Sequence, residues 1–176
     1  MCPTERQSSE LLRKIKSILA FTPDIDFSRE TVLQIEMSNG SRILALPSAE
    51  GNIRAFSAVS LLIVDEASRC MDETYFAVRP MLAVSGGRIA LLSTSFGRRS
   101  FFYDVWANGQ GWERFTVKAT DCPRITPEFL EAERSSMPDF IFAQEYLCEF
   151  TDRDTQVFSS LDIENTLDND LQFLEW

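Results

Sequence analysis

Three short runs hold residue types that could do chemistry. The first is Leu61-Leu62-Ile63-Val64-Asp65-Glu66-Ala67-Ser68. Four apolar residues running into two adjacent carboxylates have the form of a Walker B strand. A buried strand holds its last residues rigidly at the carboxyl edge of a sheet, where ligands bind in open α/β folds. There Asp65 could hold a magnesium ion, directly or through water. Glu66 could orient and deprotonate an attacking water. The second run is Ile89-Ala90-Leu91-Leu92-Ser93-Thr94-Ser95, an apolar strand ending in small hydroxylic residues. As a parallel neighbour of the first it would bring Ser93 and Thr94 beside Asp65 and Glu66, where a hydroxyl can sense a γ-phosphate or the catalytic water. The third is Ile53-Arg54-Ala55-Phe56, in a polar loop from which Arg54 could reach a phosphate in its own subunit or a neighbour's. The residues alone leave a plainer reading open for each: a strand leaving the core through two solvated acids, a strand merely terminated by hydroxyls, and a solvated arginine.

What the chain lacks narrows the chemistry further. It contains no histidine, which removes Ser-His-Asp and Cys-His catalysis, imidazole-ligated zinc and histidine pH switches. The cysteines, Cys2, Cys70, Cys122 and Cys148, are scattered without a C-x-x-C pair, so they read as reduced thiols. None of the three lysines, Lys14, Lys16 and Lys118, follows a glycine, so no G-x-x-x-x-G-K-S/T phosphate cradle exists in this sequence. The 27 acidic residues outnumber 17 basic ones, for a formal net charge of −10. Such a surface repels phosphate backbones and disfavours an autonomous DNA-binding domain, although one patch of a motor subunit could still touch nucleic acid.

These candidates need elements to hold them. With 176 residues, 44% of them hydrophobic and 25% charged, the chain can bury the core of one ordinary domain or of part of a larger one. The apolar run Leu61 to Val64 is far shorter than the ~18 residues of a membrane span, and the N-terminus lacks the pattern of a secretory signal. A cytoplasmic protein is the expectation. Leu11, Leu12, Ile15, Ile18 and Leu19 recur at helical spacing, predicting a helix over Glu5 to Leu19. Thr31 to Met37 and Arg42 to Leu46, joined through Asn39-Gly40, predict a β-hairpin. Val59 to Asp65 and Arg88 to Thr94 read as buried parallel strands, apolar on both faces. Met71 to Val84 and Ser100 to Ala107 read as helices and Trp112 to Lys118 as a strand. Pro127 to Ser135, capped by Thr126, and Pro138 to Phe150 read as two more helices. Alternating strands and helices predict a three-layer α/β fold.

The order Pro3-Thr4-x-Arg6-Gln7-Ser8, Asn39-Gly40-Ser41-Arg42-Ile43, Ala45-Leu46-Pro47, Ile53-Arg54, Asp65-Glu66-Ala67 and Leu92-Ser93-Thr94 resembles the large terminase subunit of tailed phages. So do the later Cys122-Pro123-Arg124-Ile125 and Phe142-x-x-Glu145-Tyr146-x-x-Glu149-Phe150. The resemblance spans Pro3 to Phe158 and implies an ATP-driven DNA-packaging motor. Such motors join an additional-strand, RecA-like P-loop NTPase domain to a nuclease resembling RNase H. It makes Asp65 the magnesium-associated Walker B acid and Glu66 the catalytic glutamate. Ser93 and Thr94 become the coupling motif, and Arg54 a finger acting on the next subunit. It implies Mg2+ and ATP as cofactors, with double-stranded DNA, a small terminase and a portal protein as partners.

The sequence departs from that family in three places. The Walker A segment expected upstream of these motifs is missing, as is the nuclease expected beyond them, and Ala55 stands where a glycine usually follows the arginine. Residues 1–155 therefore read as a partial ATPase domain without the P-loop strand, and 156–176 as the approach to the nuclease. A sheet without that strand has an orphaned edge, which suits a homo-oligomer or a complementing chain. A split ATPase completed by another chain is one alternative. Another is a non-catalytic interaction module using Phe140 to Phe150 or Leu171 to Trp176. An unrelated helicase ATPase is a weaker one.

Overall fold

The computed structural model describes residues 1–23, 25–48 and 56–151. The chain forms two compact units. The first comprises Met1–Thr94 with Arg99–Trp112, and the second Ser95–Arg98 with Glu113–Trp176.

The first unit opens with helix α1, Glu5–Leu19, over the span its periodicity predicts. Thr4 and Gln7 close a reciprocal capping box at its start, satisfying backbone donors the first turn leaves open. Its apolar stripe, with Leu12 fully buried, packs Leu12, Ile15 and Leu19 against Ile35, Ala45, Leu33 and Ile43. Those partners sit on and beside a small antiparallel sheet in the order β1 (Phe27–Glu30), β2 (Gln34–Met37), β3 (Arg42–Leu44). The predicted hairpin is β2–β3, with Ile35 opposite Ile43. Gly40 turns it at φ 82°, where a side chain would be strained, and the Asn39 carboxamide accepts from the Ser41 N–H. The strand β1 is an addition to the sequence reading. All four of its residues are exposed, so no burial alternation marks Phe27-Ser28-Arg29-Glu30.

The two strands bearing the candidate residues are β4 (Leu61–Asp65) and β5 (Arg88–Leu92). They pair in parallel, as expected, with Leu61 beside Arg88, Ile63 beside Ala90 and Asp65 beside Leu92. The expectation of burial on both faces is corrected. Leu62 and Val64 are buried, but Leu61 is 53%, Ile63 41% and Leu92 51% exposed, because no described element covers that face. The outer edge of β4 is occupied. The Met1 ammonium donates to the Ile63 carbonyl at 2.6 Å, and the Asp65 N–H donates to the Met1 carbonyl at 2.9 Å. Cys2 in turn bridges to Pro47 in parallel fashion. Beyond β5 no further strand pairs among the described residues.

Between the strands, helix α2 spans Asp72–Val78 and tightens into a 3-10 turn over Arg79–Leu82. The single helix predicted from Met71 to Val84 is thus broken. Pro80 lacks the N–H an α-helix would need there, and its ring clashes with the preceding turn. Helix α3, Ser100–Asn108, follows β5. Asp72 accepts from the Phe101 N–H at 3.0 Å, and the Tyr75 and Phe101 rings stack at 4.0 Å with both side chains buried. Arg79 lies 5.6 Å over the Tyr75 ring.

The second unit is built on helices α4 (Pro127–Ser136) and α5 (Asp139–Leu147). The Thr126 hydroxyl accepts from the Phe129 N–H, confirming the predicted cap. Phe142 stacks on Tyr146, whose hydroxyl donates to Glu133 at 2.7 Å. Helix α5 stops at Cys148 in a left-handed conformation, short of the predicted Phe150. The buried Ser95 hydroxyl donates to the Gln144 and Glu149 carbonyls. The predicted strand Trp112 to Lys118 does not form. Its alternation is genuine, but Phe115 is 81% and Val117 70% exposed, and a lone strand with no described neighbour is not a stable element. Residues 156–176, including the candidate tail Leu171 to Trp176, lie outside the described residues. Among the described residues no helix is long and apolar enough to cross a membrane.

Candidate functional site

The site is assembled by register. Because β4 and β5 run parallel with Asp65 beside Leu92, the residues that follow them, Glu66 and Ser93, leave the sheet at the same rim. The acidic strand then turns sharply. Glu66 adopts φ 52° and ψ 44°, a left-handed conformation that costs a residue with a Cβ about 1–2 kcal/mol. A 3-10 turn over Ala67–Arg69 follows. The Glu66 N–H lies 3.2 Å from the Asp65 carboxylate and donates to it, so the two acids share one local geometry.

A residue absent from the sequence reading fixes this turn to the neighbouring strand. Ser68, buried at 7% exposure, donates its N–H to the Ser93 hydroxyl at 3.2 Å, and the two hydroxyl oxygens stand 2.7 Å apart. The hydroxyl run and the acid pair are therefore physically joined, but Ser93 is engaged with Ser68. The signal that could have found it is a small hydroxylic residue just past an acid pair, opposite another at the end of the next strand. Thr94 is half-buried at the same strand end. Arg54 lies outside the described residues.

Behind the rim, burial governs the titratable groups. Cys2 and Cys70 are buried free thiols, and burial pushes both above the ordinary cysteine value. Burial pushes the Met1 ammonium down, partly opposed by nearby Cys2, Cys70 and Asp65.

The donor set suits a small hard cation. Asp65 and Glu66 offer carboxylate oxygens and Thr94 a hydroxyl, and among the described residues no group of three or more His, Cys, Asp or Glu gathers into a metal cage. Magnesium commonly uses one or two carboxylates and takes its remaining ligands from water and phosphate.

A parallel strand pair with an acid pair and hydroxyls at its carboxyl rim, together with helices before and after it, makes this an α/β domain. Solved structures share the fold. The large terminase ATPase domain of Thermus phage P74-26 matches with a TM-score of 0.63 at 18% identity, over 85% of this chain and 74% of that one. A mutant of the same domain gives 0.61 at 18% identity, over 85% of this chain and 75% of that one. The large terminase of a thermophilic bacteriophage gives 0.70 at 9% identity, over 85% of this chain but only 39% of its own. No curated protein matches. Residues 2–165 match the family described as terminase large subunit, T4likevirus-type, N-terminal. The chain belongs to that family.

Proposed function

We propose that residues 1–155 are part of the ATPase domain of a phage DNA-packaging motor and that the β4–β5 rim is the metal and phosphate side of its nucleotide site. Residues 156–176 then lead toward a nuclease domain. On this reading the strand pair belongs to a three-layer, P-loop NTPase-like sheet of the additional-strand class. Asp65 holds Mg2+, and Glu66 orients and deprotonates the attacking water. Thr94 faces the γ-phosphate, and Ser93 ties that strand end to the acid turn. Arg54 serves a neighbouring subunit's nucleotide. Double-stranded DNA, a small terminase and a portal protein are the working partners, in the host cytoplasm. The observation that carries the reading is the register that sets Asp65 beside Leu92 and bonds Ser93 to the turn containing Glu66.

Phosphoryl transfer depends on positioning and charge neutralisation, and this sequence has no G-x-x-x-x-G-K-S/T cradle to grip the phosphates. Residues 1–176 alone are therefore expected to bind a divalent ion weakly and to turn over no ATP. Titrating Mn2+ while recording amide NMR spectra checks this. Broadening should centre on residues 64–68 and 92–95 and vanish in Asp65→Asn. Broadening elsewhere would remove the metal site from this rim, and sustained Mg2+-dependent ATP hydrolysis lost in Glu66→Gln would overturn the inactivity.

A further inference from the structure

Two Asn-Gly pairs occur in this chain, Asn39-Gly40 and Asn108-Gly109, and the fold treats them differently. An asparagine before a glycine can react with its own backbone, because the glycine nitrogen reaches the side-chain amide carbon with no Cβ in the way. Asn39 and Gly40 are both exposed at the tip of the β2–β3 hairpin. A Cβ at Gly40 would meet nothing within 4 Å beyond its chain neighbours. The Ser41 N–H donates to Asn39 Oδ1 at 2.9 Å. It therefore polarises the carboxamide and stands where negative charge develops during attack on Cγ. One contact opposes the reaction. The Gly40 N–H donates to the Met37 carbonyl at 2.9 Å and must leave it first. At an exposed loop tip such opening costs little, and the Asn39–Ser41 bond, local to the tip, does not depend on the ladder. Asn108 is placed otherwise. It is the last residue of α3, and the Gly109 N–H donates to the Val105 carbonyl at 3.1 Å. A Cβ at Gly109 would lie 2.6 Å from the Val105 carbonyl oxygen and 3.0 Å from Trp112 Cδ1. A helix end must unwind there before ring closure has room.

We propose that Asn39 is a self-modification site, with water as its only co-reactant. Hydroxide takes the proton from the Gly40 nitrogen, which bonds to Asn39 Cγ. The tetrahedral carbon carries its charge on Oδ1, under the Ser41 N–H. Nδ2 takes a proton from water, its bond to Cγ breaks, and ammonia leaves a cyclic imide. Water then opens the imide at either carbonyl. Opening at the backbone carbonyl gives isoaspartate, and opening at Cγ gives aspartate. In sum, one water is consumed and one ammonia released. The two products differ in consequence. Aspartate keeps an acceptor for the Ser41 N–H and an unchanged backbone. Isoaspartate adds a methylene to the main chain where Gly40 turns it at φ 82°. That loosens the register holding Ile35 opposite Ile43, and with it the face on which Leu12 of α1 packs. The site is thus a slow clock on the docking of α1, and it stands apart from the nucleotide-site reading.

The test incubates the intact chain in mildly alkaline buffer made with heavy-oxygen water and follows both pairs by peptide mass spectrometry. Asn39 should convert at least about tenfold faster than Asn108 in the folded chain, whereas in urea the two rates should converge. One heavy oxygen should enter at Asn39. A carboxyl methyltransferase that accepts isoaspartate and not aspartate should label part of the product. Ser41→Pro, which removes the donor to Oδ1, should slow Asn39 and leave Asn108 unchanged. The isoaspartyl fraction should unfold at lower urea than the parent, and Asn39→Asp should unfold close to it. Equal folded rates at the two pairs, or conversion of Asn39 only in urea, would overturn the proposal. An unchanged rate in Ser41→Pro would overturn the part given to Ser41, and a fully stable isoaspartyl fraction would overturn the clock.

Discussion

Cys2 and Cys70 sit behind the acid rim with their thiols buried, and burial moves their ionisation in a direction that can be read from stability. The ordinary value is 9.0, and both folded values lie above it. The unfolded chain therefore releases these protons first. Stability contributed by the neutral thiols is complete below pH 9.0 and is lost as pH rises through the folded values. The Met1 ammonium acts in the opposite sense. Its folded value is lowered from 8.0, so stability increases as pH rises toward 8.0. For these groups the optimum falls between the two reference values, and urea unfolding across an alkaline pH series should show it. Cys2 and Cys70 should also resist a thiol reagent at pH 8.0 until the unit unfolds. Rapid labelling of both in the native chain would contradict their burial. Glu66 is the other notable single residue. A non-glycine held left-handed beside a candidate metal ligand is strain located where function can use it.

At the scale of elements, the Ser68–Ser93 pair locks the turn after β4 to the end of β5. Ser68→Ala and Ser93→Ala should each lower stability by about 1 kcal/mol, since the first leaves the half-buried Ser93 hydroxyl and the second the buried Ser68 hydroxyl without its partner. The double variant should cost less than the sum, because both singles break the same tie. Additive losses in urea unfolding would show that the two hydroxyls act separately. Elements with strong local signals were legible. Helix α1 carried periodicity and a cap, the β2–β3 hairpin carried Asn39-Gly40, and α4 carried Thr126-Pro127. The parallel strands were legible because four apolar residues run unbroken into each rim. Other features depended on partners distant in sequence. Phe27 to Glu30 became a strand only because β2 lies alongside, and Trp112 to Lys118 failed to become one because no described strand does. The residue types at the site, Asp65, Glu66, Ser93 and Thr94, could be read directly. The role of Ser68 could not, since it rests on a contact across 25 positions of chain.

Across the whole molecule, charge and exposed apolar surface oppose each other. At a net charge of −10 at pH 7 copies repel one another, which opposes contact between like open faces of β4 and β5. Near the isoelectric point of about 4.5 that repulsion vanishes. Light scattering should therefore be flat at neutral pH in low salt and rise steeply as pH falls toward 4.5. Ile63→Lys should suppress part of the rise by placing a cation in the apolar face. Unchanged scattering in that variant would assign association to another surface. The Met1–Cys2 segment along β4 carries one further consequence. A sheet with two bare margins can accrete strands from both sides and run on into fibres, whereas Met1 here stoppers the β4 margin and closes growth from that side.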